Sequence, residues 1–193
     1  MQALANLYRR FAASTRGVAA VEFAIVLPVL ALLFLGSVDA GRGIAIYMKV
    51  RTATYTLDSI ANQYTTIQST DMQSILGATS VIFAPYSSSP AVVVISELSV
   101  TSTGASTGSV RWSATLNGTA LAQGTTLSIP TNLTAGLTCS KSSPCYMLYG
   151  QVSYDYTPLF GYFMNSVTLS DSLYVTPRSS ACIVYTPVTG TSC

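Results

Sequence analysis

The sequence predicts an α+β protein in which a long N-terminal helix, membrane-spanning in its first part, packs on an antiparallel β-sheet domain. Three observations support this prediction. The run from Phe23 to Leu35 contains no polar residue. Apolar residues then continue at helical spacing to about residue 67. Beyond residue 90 the apolar period changes to two, which is typical of strands.

The composition is that of an exported or self-associating protein. Charged residues make up only 8% of the chain, whereas a typical soluble domain has about 25%. Arg9, Arg10 and Arg16 precede residue 17 without an acidic residue among them, and the remainder is close to neutral. A nucleic-acid partner requires basic residues gathered on one face of a domain, so we expect none.

Catalytic chemistry has little support in the sequence. The chain contains no histidine, which excludes Ser-His-Asp and Cys-His catalysis and every His-ligated metal site. Its seven acidic residues are scattered singly, so no pair of neighbouring carboxylates is evident. We therefore expect no enzymatic activity, no cofactor and no metal.

The segment from Val18 to Ala40 has the length of a membrane-spanning helix, which needs about 20 mainly apolar residues. Its only charged residues are Glu22 and Asp39, and Pro28 is tolerated in such a span. The arginines before it predict a cytoplasmic leader over residues 1–17. Basic residues also follow the span, so the position of the cysteines, described below, is needed to assign the orientation.

A secretory signal peptide is the alternative for this segment. Cleavage near Ala40 would release a soluble, β-rich binding module. However, apolar residues keep the spacing of one helical face beyond that position, and no Pro or Gly occurs from Ile44 to Ile67. The pattern favours one helix that starts in the membrane at residue 18, leaves it near residue 40 and ends at about residue 67.

Residues 68–193 are predicted to form the extracytoplasmic domain. Thr70 and Gln73 match a capping box that starts a short helix, which Pro85 ends. Asn117-Gly118 predicts a type I′ hairpin. Four alternating sets predict strands: Val92, Val94 and Val100; Val110, Trp112, Ala114 and Leu116; Leu148, Val152, Tyr154 and Tyr156; Val167, Leu169, Leu173 and Val175. In the second set Trp112 should share the buried face with the other three, and Arg111 should lie on the wetter face.

The four cysteines, Cys139, Cys145, Cys182 and Cys193, all belong to this domain. Their even number and their location predict disulfides and an oxidising compartment. Three pairings are possible, of which we favour Cys139 with Cys145; a Cys182–Cys193 bond would then hold the C-terminal tail. A four-thiolate zinc site needs closer pairs than these spacings provide.

The octapeptide RGVAAVEF, residues 16–23, resembles the processing site of TadE/TadF-type pseudopilins of tight-adherence (Tad, Flp) pilus systems. The continuation LPVLALLFLGSVDAGR, residues 27–42, is also similar to the TadE-like segment. The resemblance implies a pilin-like architecture and a minor pilin that takes part in assembling a Tad-type, type IV-like pilus. It also implies cleavage after Gly17 by a prepilin peptidase, which makes Val18 the mature N-terminus.

Within this motif Glu22 and Phe23 are the residues expected to act in recognition and assembly. An ionisable side chain in an apolar span is costly, which favours a function for Glu22. The alternative is that Glu22 only stabilises the start of the helix through its dipole. The implied partners are the bacterial inner membrane, the prepilin peptidase, other pilin subunits and the Tad assembly platform. The domain would be periplasmic, or extracellular within a pilus.

Overall fold

A computed structural model of the protein describes residues 17–161, 165–191 and 193. Residues 1–16 of the predicted leader, including Arg9, Arg10 and Arg16, therefore lie outside the described residues. The chain has an α+β fold in which one long helix is followed by a curled antiparallel sheet. The helices are α1 (Val18–Ala61), α2 (Ser69–Phe83) and α3 (Thr131–Thr134). The strands are β1 (Thr66–Ile67), β2 (Ala91–Val100), β3 (Thr107–Leu116), β4 (Thr126–Ser128), β5 (Cys145–Tyr156), β6 (Val167–Val175) and β7 (Val184–Tyr185).

The helix α1 has two parts with different surroundings. Residues 18–38, here called the stem, contain no buried side chain and extend away from the domain. From Asp39 onwards one side of the helix is buried against α2, β5 and β6. Its buried apolar residues are Ile46, Val50, Ala53, Leu57 and Ala61, spaced by three or four as one helical face requires.

The helix α1 ends at Ala61, so the predicted end near residue 67 is wrong. Asn62 closes the helix, and Thr66 and Ile67 adopt extended backbone as β1. This strand pairs in parallel with β7, and the Ile67 side chain is fully buried. β-branched residues favour extended backbone, and here tertiary pairing stabilises it.

The predicted capping box exists, but two residues earlier in the chain. Gln68 is the N-cap of α2, and its backbone N–H donates to Asp71 Oδ2 at 3.0 Å. The Gln68 side chain in turn accepts from the Asp71 backbone. Thr70 and Gln73 lie within the helix instead. The helix ends at Phe83, just before Pro85, as the sequence predicts.

The main sheet has the strand order β4-β3-β2-β5-β6 with every neighbour antiparallel. The strand β2 is central, which explains why it is apolar on both faces. Its residues Ala91, Val93 and Ile95 pack in the core beneath α1. Leu98 and Val100 belong to a second core on the opposite face.

A β-bulge at Arg111 divides β3 between these two cores. Glu97 pairs with Trp112, whereas Leu98 pairs with Val110, so Arg111 is the extra residue. Trp112 is therefore buried on the α1 face with Ala114, while Val110 is buried on the other face. The prediction that Val110 shares the face of Trp112 is wrong, because a one-residue insertion reverses the alternation of side chains.

The predicted two-residue hairpin at Asn117-Gly118 is also absent. Asn117 does have a positive φ of 56°, but Gly118 does not, and type I′ needs both. The next strand, β4, begins only at Thr126. The Asn117 side chain instead donates to the Ala91 carbonyl oxygen at 2.9 Å, and a Cβ on Gly118 would lie 2.6 Å from Val92 Cγ1. Asn117 and Gly118 thus allow the end of β3 to lie close to the start of β2.

The structure contains two disulfides, Cys139–Cys145 and Cys182–Cys193. The first encloses the turn that leads into β5, at the end of the sheet far from the stem. The second closes the C-terminal tail on itself beside the buried Ile183. Cys182 is fully buried and Cys139 nearly so, so both disulfides are part of the folded domain.

Candidate functional site

The predicted processing segment lies at the free end of the stem. Gly17 immediately precedes α1, and a Cβ placed on it would meet no atom within 4 Å. Val18 is 55% exposed. The Gly17–Val18 peptide bond is thus not covered by any described part of the chain, as a protease that cuts there would require.

Glu22 and Phe23 lie one turn into the same helix, and both side chains are exposed. Glu22 is four residues after Val18, which puts both on one side of the helix. Within residues 17–161, 165–191 and 193 no ion pair involves Glu22. The fold therefore leaves its carboxylate available to a partner.

The stem exposes a continuous apolar surface. By length and composition, α1 is the one helix in the described part of the chain that could cross a membrane. None of the residues in its most apolar window is buried by the described part of the chain. Its most exposed side chains are Val21, Phe23, Ile25, Leu33 and Phe34. Such a surface is stable only in lipid or against other apolar helices.

The stem meets the domain at Asp39, a residue that is only 2% exposed. Its carboxylate accepts backbone N–H groups of Leu159, at 2.9 Å to Oδ1, and of Phe160, at 3.2 Å to Oδ2. Its backbone carbonyl oxygen accepts the Tyr156 hydroxyl at 2.8 Å. Three hydrogen bonds thus join the helix to the end of β5 and the connection after it. The two bonds from Leu159 and Phe160 have a carboxylate acceptor, which forms stronger hydrogen bonds than a neutral acceptor does.

One helical turn later the same tyrosine ring packs against Gly43. A Cβ on Gly43 would be 3.4 Å from Tyr156 Cε1, so the glycine permits close approach of helix and strand. A cleft of about 300 Å³ opens beside this contact. It is lined almost entirely by apolar groups of Ala40, Gly43, Ile44, Tyr47, Tyr156, Val167 and Leu169.

A second acidic residue, Asp58, is fully buried between α1 and the sheet. Neither carboxyl oxygen has a hydrogen-bond partner in the described residues. It faces Gly150 of β5, where any side chain would overlap the carboxyl group. Burial raises the pKa of Asp58 to about 8, because desolvation penalises the charged form. At neutral pH this group is therefore mostly a neutral acid.

A third buried acid, Glu97, fastens the C-terminal tail to the sheet. Glu97 Oε1 accepts the Ile183 backbone N–H at 2.6 Å, and Oε2 accepts from Trp112 Nε1 at 3.2 Å. Arg111 pairs with Oε2 at 2.6 Å and stacks over Tyr146, with its guanidinium carbon 4.4 Å from the ring centroid. Burial raises the pKa of Glu97, while the Ile183 and Arg111 contacts oppose that shift.

Arg111 is consequently not on a wet face. Its side chain is only 11% exposed, since the bulge turns it toward Glu97 rather than into solvent. The prediction that Arg111 lies on the wetter face is therefore wrong. The alternation of apolar and polar residues places Arg111 on the solvent-facing side of β3, because nothing in the sequence of one strand shows that a residue has been inserted relative to its partner strand.

The three buried acids were not identified as site residues from the sequence. Asp39 and Asp58 do carry a signal, since each falls on the apolar stripe of α1 at three- or four-residue spacing. A charged residue on a core-facing stripe indicates a specific partner or a functional constraint. Glu97 carries a similar signal as an acid within the apolar β2.

Comparison with known proteins assigns the N-terminal segment. A family model described as TadE-like protein matches residues 17–56. This confirms the resemblance read from the motif, and it covers Gly17, the stem and most of the domain-packed half of α1. Searches among curated proteins and among solved structures gave no match.

Proposed function

On the premise that residues 17–56 form a TadE-like segment, we propose that this chain is a minor pilin that assembles into a Tad-type, type IV-like pilus. The observation that supports the proposal most strongly is the exposed apolar stem, which no other described residue of the chain buries. A TadE-like match associates that stem with a pilus. The role is structural and not enzymatic, in keeping with a sequence that lacks histidine.

The stem first serves as a membrane anchor. Its length and composition suit a bilayer, and the disulfides favour an extracytoplasmic, periplasmic domain. A prepilin peptidase cuts after Gly17, which the open surroundings of Gly17 and Val18 permit. The processed subunit then contacts other pilins and the assembly platform through the stem.

Processing creates a new α-amine on Val18, close to Glu22. Both groups lie at the apolar end of the stem, where an unpaired charge is costly. The carboxylate of an incoming Glu22 can pair with the amine of a neighbouring, staggered subunit. Because the attraction between charges is much stronger in a medium of low dielectric constant, this pair selects the axial register between subunits.

The alternative is a secreted module released by cleavage near Ala40. Such a cut falls within α1, one residue beyond the buried Asp39. It would remove the carboxylate that holds Leu159 and Phe160 and the carbonyl that accepts from Tyr156. The loss of these contacts argues against a mature chain that begins after Ala40.

Two substitutions test the proposal in cells that assemble the pilus. We expect Gly17→Leu to block processing. Gly41→Leu is the matched control, because Gly41 lies in α1 and its missing side chain, like that of Gly17, faces open space. We expect the control to be processed normally. A Gly17→Leu variant that is still processed normally would favour the secreted alternative.

Glu22→Gln tests the assembly role. It keeps the size and shape of the side chain and removes only its charge. We expect the variant to be inserted and processed, but to be absent from sheared pili and from co-purified assembly complexes. Normal incorporation would reject the register role and leave Glu22 a helix-stabilising function of about 0.3–1 kcal/mol.

A further inference from the structure

We propose that Leu159 and Phe160, at the start of the β5–β6 connection, insert into the membrane surface from which α1 emerges. The domain would then hold the bilayer at two points, the stem and this connection. The inference rests on the proposed membrane-anchored function, since it uses the stem as a transmembrane span. It goes beyond that function by assigning a lipid-binding role to a part of the domain outside the TadE-like segment.

The depth of this connection follows from the helix. An α-helix rises about 1.5 Å per residue, so Asp39 lies about 32 Å along the axis from Val18. The hydrocarbon core of a bilayer is about 30 Å thick. Asp39 therefore lies at the surface of the membrane on the domain side. Its carboxylate holds the backbone of Leu159 and Phe160 at 2.9 and 3.2 Å, which fixes both residues at the same level.

The side chains at this level are apolar and uncovered. Leu159 is 60% exposed and Phe160 is 39% exposed. In the sequence the segment continues without a charged residue through Met164. A single exposed leucine is ordinary on a protein surface. Here two adjacent apolar side chains, Leu159 and Phe160, are exposed together. The buried carboxylate of Asp39 fixes both at the height of the bilayer surface, which is the position of an interfacial anchor.

The surrounding side chains are of the type that membrane interfaces contain. A cleft of about 320 Å³ at this end of the domain is lined by the partly exposed Arg42 and Tyr86 and, beneath them, by the buried Tyr154 and Tyr156, among others. Tyrosine is enriched at the headgroup level, and arginine suits the phosphates there. Asp155 lines the same cleft, and its Oδ1 accepts the Thr168 hydroxyl at 2.7 Å.

Tryptophan fluorescence in lipid nanodiscs tests this directly with the full chain, at one protein per disc. Phe160→Trp and Leu159→Trp are the probes, and the acyl chains are brominated so that they quench a nearby indole. The native Trp112 is 1% exposed inside the domain and provides the unquenched background. Two separate probes are used so that the test remains possible if one of the two variants fails to fold.

Two further variants serve as controls. Leu27 is an exposed residue of the stem, so Leu27→Trp reports whether α1 spans the bilayer. Leu133→Trp replaces a leucine of similar exposure, 38%, beside Asn62. Asn62 closes α1 at the end away from the stem, about 34 Å along the helix from Asp39.

We expect brominated lipid to reduce the fluorescence of the probes at positions 27, 159 and 160, and to leave position 133 and the unmodified chain unchanged. If position 27 is quenched but positions 159 and 160 behave like position 133, the inference is wrong while the anchor stands. If position 27 is not quenched, the membrane anchor itself is rejected, and this inference with it. Probes at 159 and 160 that brominated lipid does not quench, but whose emission shifts to shorter wavelength when several proteins share a disc, would assign the surface to a neighbouring subunit instead.

Discussion

The carboxyl group of Asp58 occupies the space that a side chain at Gly150 would fill. The two residues come from α1 and β5, and a Cβ on Gly150 would overlap the carboxyl oxygens. We therefore expect Gly150→Ala to lower the free energy of unfolding by about 1–3 kcal/mol through overpacking. Chemical denaturation of the full chain in detergent micelles measures this.

Gly77→Ala is the matched control for that substitution. Gly77 lies in α2, and its added Cβ would meet no atom within 4 Å. Alanine is the better helix former, so this variant should gain about 0.5–1 kcal/mol. A Gly150→Ala protein as stable as wild type would show that α1 does not pack on β5 as described.

The buried Asp58 also makes stability depend on pH. Its pKa is raised to about 8 in the folded state, against about 3.9 for an unfolded aspartate. Between these values the folded protein keeps a proton that the unfolded chain has lost. Stability should therefore fall by about 1.4 kcal/mol per pH unit as pH rises from about 4 to about 8, and then level off.

Asp58→Asn isolates this contribution, because an amide of the same shape does not titrate. We expect the variant to lose much of the fall in stability between pH 4 and pH 8 and to exceed wild type most at the alkaline end. Burial raises the pKa of Glu97 in the same direction, so the comparison must be made between the two proteins at each pH. Parallel curves of melting temperature against pH for the two proteins would refute the role of Asp58.

The contacts of Asp39 hold the β5–β6 connection on the helix. Asp39→Ala removes the acceptor of the Leu159 and Phe160 amides, which should cost about 1–3 kcal/mol. Hydrogen exchange read by mass spectrometry should show faster exchange of these two amides. Tyr156→Phe is the control, since it removes one hydrogen bond to the Asp39 carbonyl and keeps the carboxylate. Unchanged protection in Asp39→Ala would contradict the anchoring.

Arg111 should be far less tolerant than an exposed arginine. Arg111→Ala removes the charged partner of a fully buried Glu97 and should cost about 3 kcal/mol in thermal or chemical unfolding. Adding Glu97→Gln should recover part of that loss, because the two sites are coupled. The exposed Arg178→Ala should stay within about 0.5 kcal/mol of wild type. If Arg111→Ala and Arg178→Ala were equally stable, the buried ion pair between Arg111 and Glu97 would not contribute to the stability of the fold.

The parts of the fold that depend on local pattern could be predicted from the sequence. The uncharged run from Phe23 to Leu35 indicates the stem, and the alternation of apolar residues in the predicted strands indicates a sheet. The end of α1 was less predictable, because it depends on what the following residues pair with. β1 is extended because Ile67 is buried and paired with β7, a contact between distant parts of the chain.

The residues of the candidate site likewise fall into two groups, those that the sequence identifies and those that only the fold brings together. Gly17, Val18, Glu22 and Phe23 form one contiguous motif, so sequence alone identifies them. The partners of Asp39 and Asp58 come from β5 and its connection, far along the chain, and only packing brings them together. The bulge at Arg111 was hidden for a related reason, because an inserted residue is visible only against the paired strand.

The central claim is that the mature protein is a pilin whose stem begins at Val18. Its most direct test is the mass of the N-terminal peptide of the protein purified from both the membrane fraction and the culture medium of the native cell. We predict a mature chain that starts at Val18 and keeps the whole of α1. A chain that starts at Gly41, or one that still carries residues 1–17, would contradict the account.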